Sequence, residues 1–427
     1  MSIKDLHELF MKSSGVVTDS RKIKNNCIFF SLKGENFNGN EFANSAVEKG
    51  AMLAVVDEKK FSQNKENYIL VENCLETLQN LANFHRKKLN TKIIGITGSN
   101  GKTTTKELIN SVLKTHFITY CTKGNLNNHI GVPLSLLEIS KNTEFAIIEM
   151  GANHIGEIKL LSEIVEPDYG YITNFGKAHL EGFGSEEGVI KGKTELYKFL
   201  FKRNGLIFYN SDDEKQKHLL SDYKNKFGFG IKSSDLNYTI KSENPTIILE
   251  VNKNIIESTL FGNYNIQNII SAVTVGMYLE IPIKKICNGI SNYISSNNRS
   301  QIVEINSNKI ILDAYNANPS SMLLAIKSFE KSKLQNKVLI LGDMFELGKY
   351  ENKFHQEIID YCENLNINRV FLVGKIFSKT IHSRKFLSSA NYIELSKRKE
   401  FKEIKNSNLL IKGSRGIQLE KLLEFIS

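Results

Sequence analysis

Between Lys92 and Leu108 the chain reads Lys-Ile-Ile-Gly-Ile-Thr-Gly-Ser-Asn-Gly-Lys-Thr-Thr-Thr-Lys-Glu-Leu, an apolar run, two glycines separated by Ser-Asn, and a helix-forming run. This pattern leaves little choice of fold. Residues 93–96 have the apolar, β-branched character of a buried strand, and Gly98 and Gly101 permit a tight loop whose N–H groups turn toward one point. A helix beginning near Lys102 adds the positive end of its dipole. The whole reads as a phosphate cradle formed by Gly98, Ser99, Asn100, Gly101, Lys102, Thr103 and Thr104, with Lys102 as a point charge for β/γ-phosphates and the Thr103 hydroxyl placed for Mg²⁺. The loop is a variant, since Ile96 stands where the general pattern has its first glycine and the nearest glycine is Gly95. A glycine turn without a ligand is the competing reading, and Gly-Lys-Thr between an apolar strand and a helix start argues against it.

The rest of the chain sorts around this unit. With 427 residues and 41% hydrophobic content, and about 100–200 residues per domain, three domains are expected. Cys27-Ile-Phe-Phe-Ser-Leu32 and Met52-Leu-Ala-Val-Val56 predict strands of a small α/β domain over residues 1–89, ending at the polar stretch Arg86-Lys-Lys-Leu-Asn-Thr91. Over residues 90–298, the runs Phe145-Ala-Ile-Ile-Glu149, Tyr169-Gly-Tyr-Ile-Thr-Asn174 and Gly205-Leu-Ile-Phe-Tyr209 alternate with helical segments, as in a central P-loop ATPase-like parallel sheet. Polar Ser295-Ser-Asn-Asn-Arg-Ser300 then leads to Lys309-Ile-Ile-Leu-Asp313, Lys337-Val-Leu-Ile-Leu341 and Arg369-Val-Phe-Leu-Val373, which predict a Rossmann-like α/β domain over 299–427. The expected fold class is therefore α/β.

Five scattered cysteines offer no zinc or redox spacing and suit a reducing compartment. The N-terminal ten residues mix acidic and basic side chains, and no run is long enough to span a bilayer, so a cytoplasmic protein without membrane insertion is expected. The formal charge of +10 is spread along the chain, a poor nucleic-acid signal, and no nucleic-acid partner is expected. A monomer is expected.

Several polar residues fall where a parallel sheet binds ligands. Glu149 ends an apolar strand, and its carboxylate suits Mg²⁺ beside nucleotide phosphates; a strand-terminal glutamate facing water is the alternative. His179, after the next strand, could ligate a second metal or be an ordinary satisfied histidine. Lys193, on a predicted helix, reads by spacing alone as a solvated lysine. In Gly262-Asn-Tyr-Asn-Ile-Gln-Asn268 the asparagines three apart share a helical face and could read an adenine edge, or one of Asn263 and Asn265 could cap the helix. Asp313 leads into Ala-Tyr-Asn316-Ala-Asn318-Pro319, where the polar side chains form a ribose or substrate surface, or Asn318 caps the helix that Pro319 opens.

Taken together, Thr97–Thr105, Glu149-Met-Gly-Ala-Asn153, His179, Asn263–Asn268 and Asp313 resemble the Mur ligases, ATP-dependent amide-bond-forming enzymes of peptidoglycan synthesis. Three further segments, Asn125-Leu-Asn-Asn-His-Ile-Gly-Val-Pro133, Asp313–Met322 and Leu341-Gly-Asp-Met-Phe-Glu-Leu-Gly348, look like the branch that adds D-alanyl-D-alanine to UDP-N-acetylmuramoyl-tripeptide. The resemblance implies ATP and Mg²⁺ as cofactors. It implies Lys102 and Thr103 at the phosphates and metal, Glu149 and His179 as metal ligands, and Asn265, Asn268, Arg299 and Asp313 at the nucleotide. Lys193 would be a carbamylated, anionic metal ligand, and with Lys102 and His179 would serve catalysis. Ser20 and Arg21 would hold the UDP end, and Asn127, Asn128, Asn316 and Asn318 the rest of the substrate. Asn38-Gly-Asn40 replaces the Asp-Gly-His of many relatives, Tyr264 replaces a histidine, and Arg299 follows Asn298 instead of glycine. The nearest rivals are the third-residue ligase and folylpolyglutamate synthetase, but Asn316-Ala-Asn-Pro319 stands where the former has Asp-Asn-Pro-Arg. A nucleotide switch or nucleic-acid ATPase is favoured only by charge.

Overall fold

The structure, a computed structural model, describes residues 1–62, 66–232, 234–243, 246–367 and 369–426. It forms two compact bodies, one of Met1–Gly95, Phe117–Gly151 and Gly156–Tyr169, the other of Ile96–His116, Ala152–Ile155 and Gly170–Ser427.

In the first body, four parallel strands lie in the order Val16–Val17, Ile28–Phe30, Leu53–Val56, Tyr68–Leu70. Cys27, Phe29, Ala54 and Val56 pack with Ala43 and Ala46 into one core. The helix Cys74–Lys88 is capped by Asn73 and buries Leu78, Leu81, Ala82 and His85, the i, i+3, i+4, i+7 stripe of an amphipathic helix. At its end, Arg86 ties together the carbonyls of Thr91, Val165 and Glu166 and pairs with Asp168 at 2.9 Å. Asp168 also accepts the Ile93 N–H at 2.8 Å, which fixes the entry of the strand Lys92–Thr97. Beside the start of that strand run Phe145–Glu149 and then Thr119–Cys121, paired in parallel.

The second body carries two parallel arrays. The first has the order Leu236–Asn237, Lys226–Gly230, Leu206–Asn210, Tyr169–Ile172 and the end of Lys92–Thr97. The helix Lys102–Leu113 packs on Ile266–Tyr278 and Ile283–Ser291. An antiparallel ribbon, Thr239–Ser242, Ile247–Val251 and Asn254–Ser258, forms a sheet of its own and packs on the helix Ile283–Ser291. The second array has the order Gln301–Ile305, Asn308–Asp313, Asn408–Lys412, Lys337–Gly342, Arg369–Val373, Phe386–Ser389, with Gln301–Ile305 antiparallel and the other pairings parallel. Its core is built from Ile310, Leu312, Ile340, Phe371, Leu409 and Ile411. Parallel pairing brings Asp313, Lys412, Gly342 and Val373 out at one edge, where open α/β sheets bind ligands. The α/β class read from the sequence is the class observed.

In the first body His7 Nε2 lies 3.0 Å from His85 Nδ1, and His85 Nε2 lies 3.0 Å from the Ile139 carbonyl. The carbonyl can only accept, so His85 carries its proton on Nε2, and Nδ1 accepts from His7. Desolvation pushes both imidazoles below their ordinary value; Lys141 adds to this for both, and His85 and Lys88 for His7. The unfolded chain therefore takes up these protons first, at about pH 6.5. Stability is fully present above that pH and is lost as pH falls through it. The thermal midpoint, followed by circular dichroism, is expected to drop between pH 7.5 and 5.5, and to drop less in a His7→Leu, His85→Leu double variant.

Candidate active site

The phosphate loop is held by the segment that follows the neighbouring strand Tyr169–Ile172. Thr173 N–H donates to the Thr97 carbonyl at 2.9 Å, Ser99 N–H to the Asn174 carbonyl at 3.0 Å, and Asn100 N–H to Asn174 Oδ1 at 3.1 Å. The Thr173 hydroxyl and Asn174 amide both donate to the Asn100 carbonyl, at 2.6 and 3.0 Å, and Ser99 Oγ donates to the Gly176 carbonyl at 2.9 Å. Gly98 and Gly101 have φ of 140° and 78°, and a Cβ would lie 2.0 Å from Thr173 Oγ1 on the first and 2.4 Å from Asn268 Oδ1 on the second. Both positions thus require glycine. The helix Lys102–Leu113 opens directly at Gly101, which has no side chain to cap it, so the first-turn N–H groups point into the loop. Lys102 Nζ folds back onto the carbonyls of Gly98 and Ser99 at 2.7 and 3.2 Å, a neutral arrangement that an anion in the loop would replace with an ionic one.

A cavity of about 860 Å³ opens over this loop. Of the residues singled out from the sequence, Ser99, Asn100, Gly101, Lys102, Thr103, Thr104, His179, Asn265, Asn268, Arg299, Asp313, Asn316 and Asn318 line it. Asn268 donates to Asn265 Oδ1 at 2.8 Å and accepts from Thr105 Oγ1 at 3.0 Å, while Asn265 donates to the Phe261 carbonyl at 2.7 Å. The asparagine motif therefore knits the helix Ile266–Tyr278 to the helix behind the loop. Asn263 accepts from the Ser328 hydroxyl at 2.7 Å, so the amides of the motif work across elements and the capping alternative is not what they do. Burial keeps the Tyr264 phenol protonated, its pKa pushed well up, and its oxygen lies 2.7 Å from Ser300 Oγ. Asn318 does both things expected of it: it caps Pro319–Lys331 in a capping box with Ser321 and donates to Asn100 Oδ1 at 2.7 Å.

Two residues expected to be possibly solvated are buried. Glu149 is 2% exposed, accepts from Asn127 Nδ2 at 2.8 Å, and donates its own N–H to Thr122 Oγ1 at 3.1 Å. Lys193 is 1% exposed at the end of the helix Glu186–Lys193 and donates to the Ala152 carbonyl at 3.0 Å. Spacing alone suggested a solvated lysine because helical periodicity does not register the loop 152–155 and Phe183, which cover this one. Glu149, Asn127, Asn128, Ser20 and Arg21 belong to the first body. There Asn128 Oδ1 accepts the N–H groups of Ile130 and Gly131, and Arg21 pairs with Asp19 at 2.9 Å on the surface.

The structure adds residues that sequence reasoning gave no role. Lys412 pairs with Asp313 at 2.5 Å, and Tyr315 stacks under the Arg299 guanidinium at 3.9 Å with Arg415 at 5.4 Å. Glu346 Oε2 lies against His179 Nδ1, without the geometry of a hydrogen bond. His179 and then Lys102 hold the Glu346 carboxyl below the usual carboxylate range. Tyr315 and Glu346 lie in motifs already noted, but these meetings depend on the topology. Among the described residues no three His, Cys, Asp or Glu side chains are grouped as a metal cage. The donors at hand, a Thr103 hydroxyl on the loop and the His179 ring, suit an ion that keeps waters and takes phosphate oxygens, as Mg²⁺ does.

A glycine loop at a helix start, a lysine folded into it, and an amide, arginine and aspartate wall define a nucleoside triphosphate-binding α/β enzyme. Family models agree along the chain: "Mur ligase family, catalytic domain" at residues 12–86, "Mur ligase middle domain" at 96–276 and "Mur ligase, glutamate ligase domain" at 298–414. The chain belongs to the Mur ligase family. It is 36% identical over 423 residues to the UDP-N-acetylmuramoyl-tripeptide–D-alanyl-D-alanine ligase of Bacillus subtilis, covering 96% of this chain and 92% of the relative. The enzyme of that name from Escherichia coli is 32% identical, covering 84% and 81%. Among solved structures, MurF from Acinetobacter baumannii matches with a TM-score of 0.87 at 28% identity, covering 96% and 92%. The MurF ligase of Thermotoga maritima in complex with ADP matches with a TM-score of 0.85 at 27% identity, covering 96% of each chain.

A Gly101→Ala substitution drives Cβ into Asn268 and strains the backbone at positive φ. The dissociation constant for ATP, measured by calorimetry, is expected to rise by at least about tenfold, equivalent to the ~1.4 kcal/mol that a left-handed non-glycine residue commonly costs.

Proposed function

We propose that this chain is an ATP-dependent ligase that joins D-alanyl-D-alanine to UDP-N-acetylmuramoyl-tripeptide in the synthesis of peptidoglycan precursors. The observation that carries the proposal is the phosphate loop facing the same cavity as Asn265, Asn268, Arg299 and Asp313, in a chain that matches relatives of that activity along 96% of its length. The T. maritima relative was solved with ADP, which supports ATP as the nucleotide here. Residues 1–89 would hold the UDP end through Ser20 and Arg21, residues 90–298 the ATP and the carboxylate that accepts its phosphoryl group, and residues 299–427 the wall that closes over the nucleotide. Asn127, Asn128, Asn316 and Asn318 would contact the muramoyl-peptide and dipeptide. No helix among the described residues is long and apolar enough to cross a membrane, and a cytoplasmic, monomeric enzyme without a nucleic-acid partner fits the supply of soluble nucleotide-linked substrates.

A carboxylate is a poor electrophile, so the reaction begins with attack of the tripeptide's terminal carboxylate oxygen on the γ-phosphorus of ATP, which gives an acyl phosphate and ADP. The amine of D-alanyl-D-alanine then attacks the acyl carbon; the tetrahedral intermediate loses inorganic phosphate and a proton, leaving the amide. Phosphoryl transfer needs positioning and charge stabilisation more than covalent help. Gly98–Thr104 would hold the phosphates by backbone N–H groups, and Lys102 would leave the Gly98 and Ser99 carbonyls to follow the charge on the transferred oxygens. Bound Mg²⁺, held by Thr103, Glu149, His179 and a carbamylated Lys193, would neutralise part of that charge. That Lys193 is buried at the end of its helix, not solvated, supports this role. Arg299, flat on Tyr315, would present its fork to the nucleotide without losing side-chain freedom on binding.

Phosphate release by the purified protein is expected to require ATP, the UDP-tripeptide ending in lysine or diaminopimelate, and D-alanyl-D-alanine together. Lys102→Ala is expected to lower kcat by about 100-fold or more. Release stimulated by DNA or RNA instead, or independent of the dipeptide, contradicts the assignment. A Lys193→Ala variant with full turnover would remove the carbamate from the account.

A further inference from the structure

We infer that Glu346 is a positioning residue for His179, turning the imidazole so that Nε2 is presented to the divalent cation. The inference rests on the proposed function, in which His179 is a metal ligand.

Three observations lead to it. His179 and Glu346 are both held at positive φ, 53° and 63°, a conformation unfavourable for a non-glycine residue that persists where its surroundings impose it. These surroundings are unusually complete for the loop that carries Glu346. The buried Asp343 carboxylate accepts the N–H groups of Ile376 and Phe377 at 3.0 and 2.9 Å, buried His355 Nε2 accepts the Met344 N–H at 3.0 Å, and Ser414 Oγ accepts the Phe345 N–H at 3.0 Å. Ser414 N–H closes the ring on the Asp343 carbonyl at 3.0 Å. A loop fixed from three strand ends delivers one carboxylate, and that carboxylate meets Nδ1 of His179, the one histidine among the described residues that lines the nucleotide cavity.

The chemistry of metal-bound imidazole supplies the reason. A histidine can give a metal only one nitrogen, and a carboxylate at the other holds the tautomer and raises the ligand's basicity. With the Glu346 charge beside Nδ1, the proton is favoured on Nδ1 and the lone pair on Nε2. The spatial logic also separates the two residues: His179 follows the strand Tyr169–Ile172, whereas Glu346 follows Lys337–Gly342. The ligand and the group that aims it therefore come from different arrays, and the metal site is complete only when the loop 343–348 is in place.

The test uses Mn²⁺ as the probe, titrated into full-length protein with saturating ADP and followed by electron paramagnetic resonance, with the ¹⁴N coupling of the bound ion read by the pulsed experiment. Glu346→Ala is expected to weaken Mn²⁺ binding about tenfold and to diminish the imidazole coupling. Glu346→Gln, of the same shape, is expected to weaken binding several-fold, because its amide keeps the contact with Nδ1 without the charge; it decides alone if the alanine variant does not fold. Wild-type affinity and coupling in the Glu346 variants overturn the inference when His179→Ala abolishes the coupling, and the proposed function then stands. A His179→Ala protein with the coupling intact removes His179 from the metal site, so that reading and this one fall together.

Discussion

The site depends on how one four-residue loop is kept open. Gly98–Gly101 has to aim its N–H groups at a common point, and loops with many unpaired backbone groups collapse onto themselves unless something occupies their carbonyls. Here the segment 173–176 does so. Thr173 and Asn174 take the Asn100 carbonyl, Gly176 takes the Ser99 hydroxyl, and the Asn174 side chain returns a bond to the Asn100 N–H. Each such bond contributes about 1 kcal/mol net, but their main effect is directional. They leave the helix N-terminus at Lys102 as the polar feature facing the cavity.

The same logic extends outward through polar groups that are paired in relays. Thr105 to Asn268, Asn268 to Asn265, Asn265 to Ser300, and Ser300 N–H to Asp313 form a chain from the back of the phosphate loop to the ion pair of Asp313 with Lys412. Buried amides are costly unless every group finds a partner, and this chain supplies the partners in sequence. Its consequence is that the loop, the asparagine helix and the strand end bearing Asp313 share one geometry, so that a nucleotide touching any of them senses the others.

Much of this was legible in the sequence, and for identifiable reasons. Strand–loop–helix periodicity placed Lys102, Thr103 and the parallel arrays, because apolar alternation and glycine spacing are local signals. The antiparallel ribbon Thr239–Ser258 was passed over, although Asn252 and Lys253, both at positive φ, mark a two-residue hairpin turn between Ile247–Val251 and Asn254–Ser258. Spacing alone reads Lys193 as solvated, where the resemblance makes it a metal ligand, because burial depends on the chain segment that covers a helix and no periodicity carries that information. The meeting of Glu346 with His179, and of Tyr315 with Arg299 and Arg415, follows from topology at separations too long for motif spacing to report. The motifs themselves were visible, but not which faces they would share.

The central claim is that the nucleotide's β- and γ-phosphates sit on the helix start at Gly101–Thr104 and draw Lys102 away from its own loop. A crystal structure with a non-hydrolysable ATP analogue and a divalent cation tests this most directly. The account predicts phosphate oxygens within hydrogen-bonding distance of those N–H groups, with Lys102 Nζ on the γ-phosphate. Phosphates bound elsewhere, with Lys102 still on the carbonyls of Gly98 and Ser99, would contradict it.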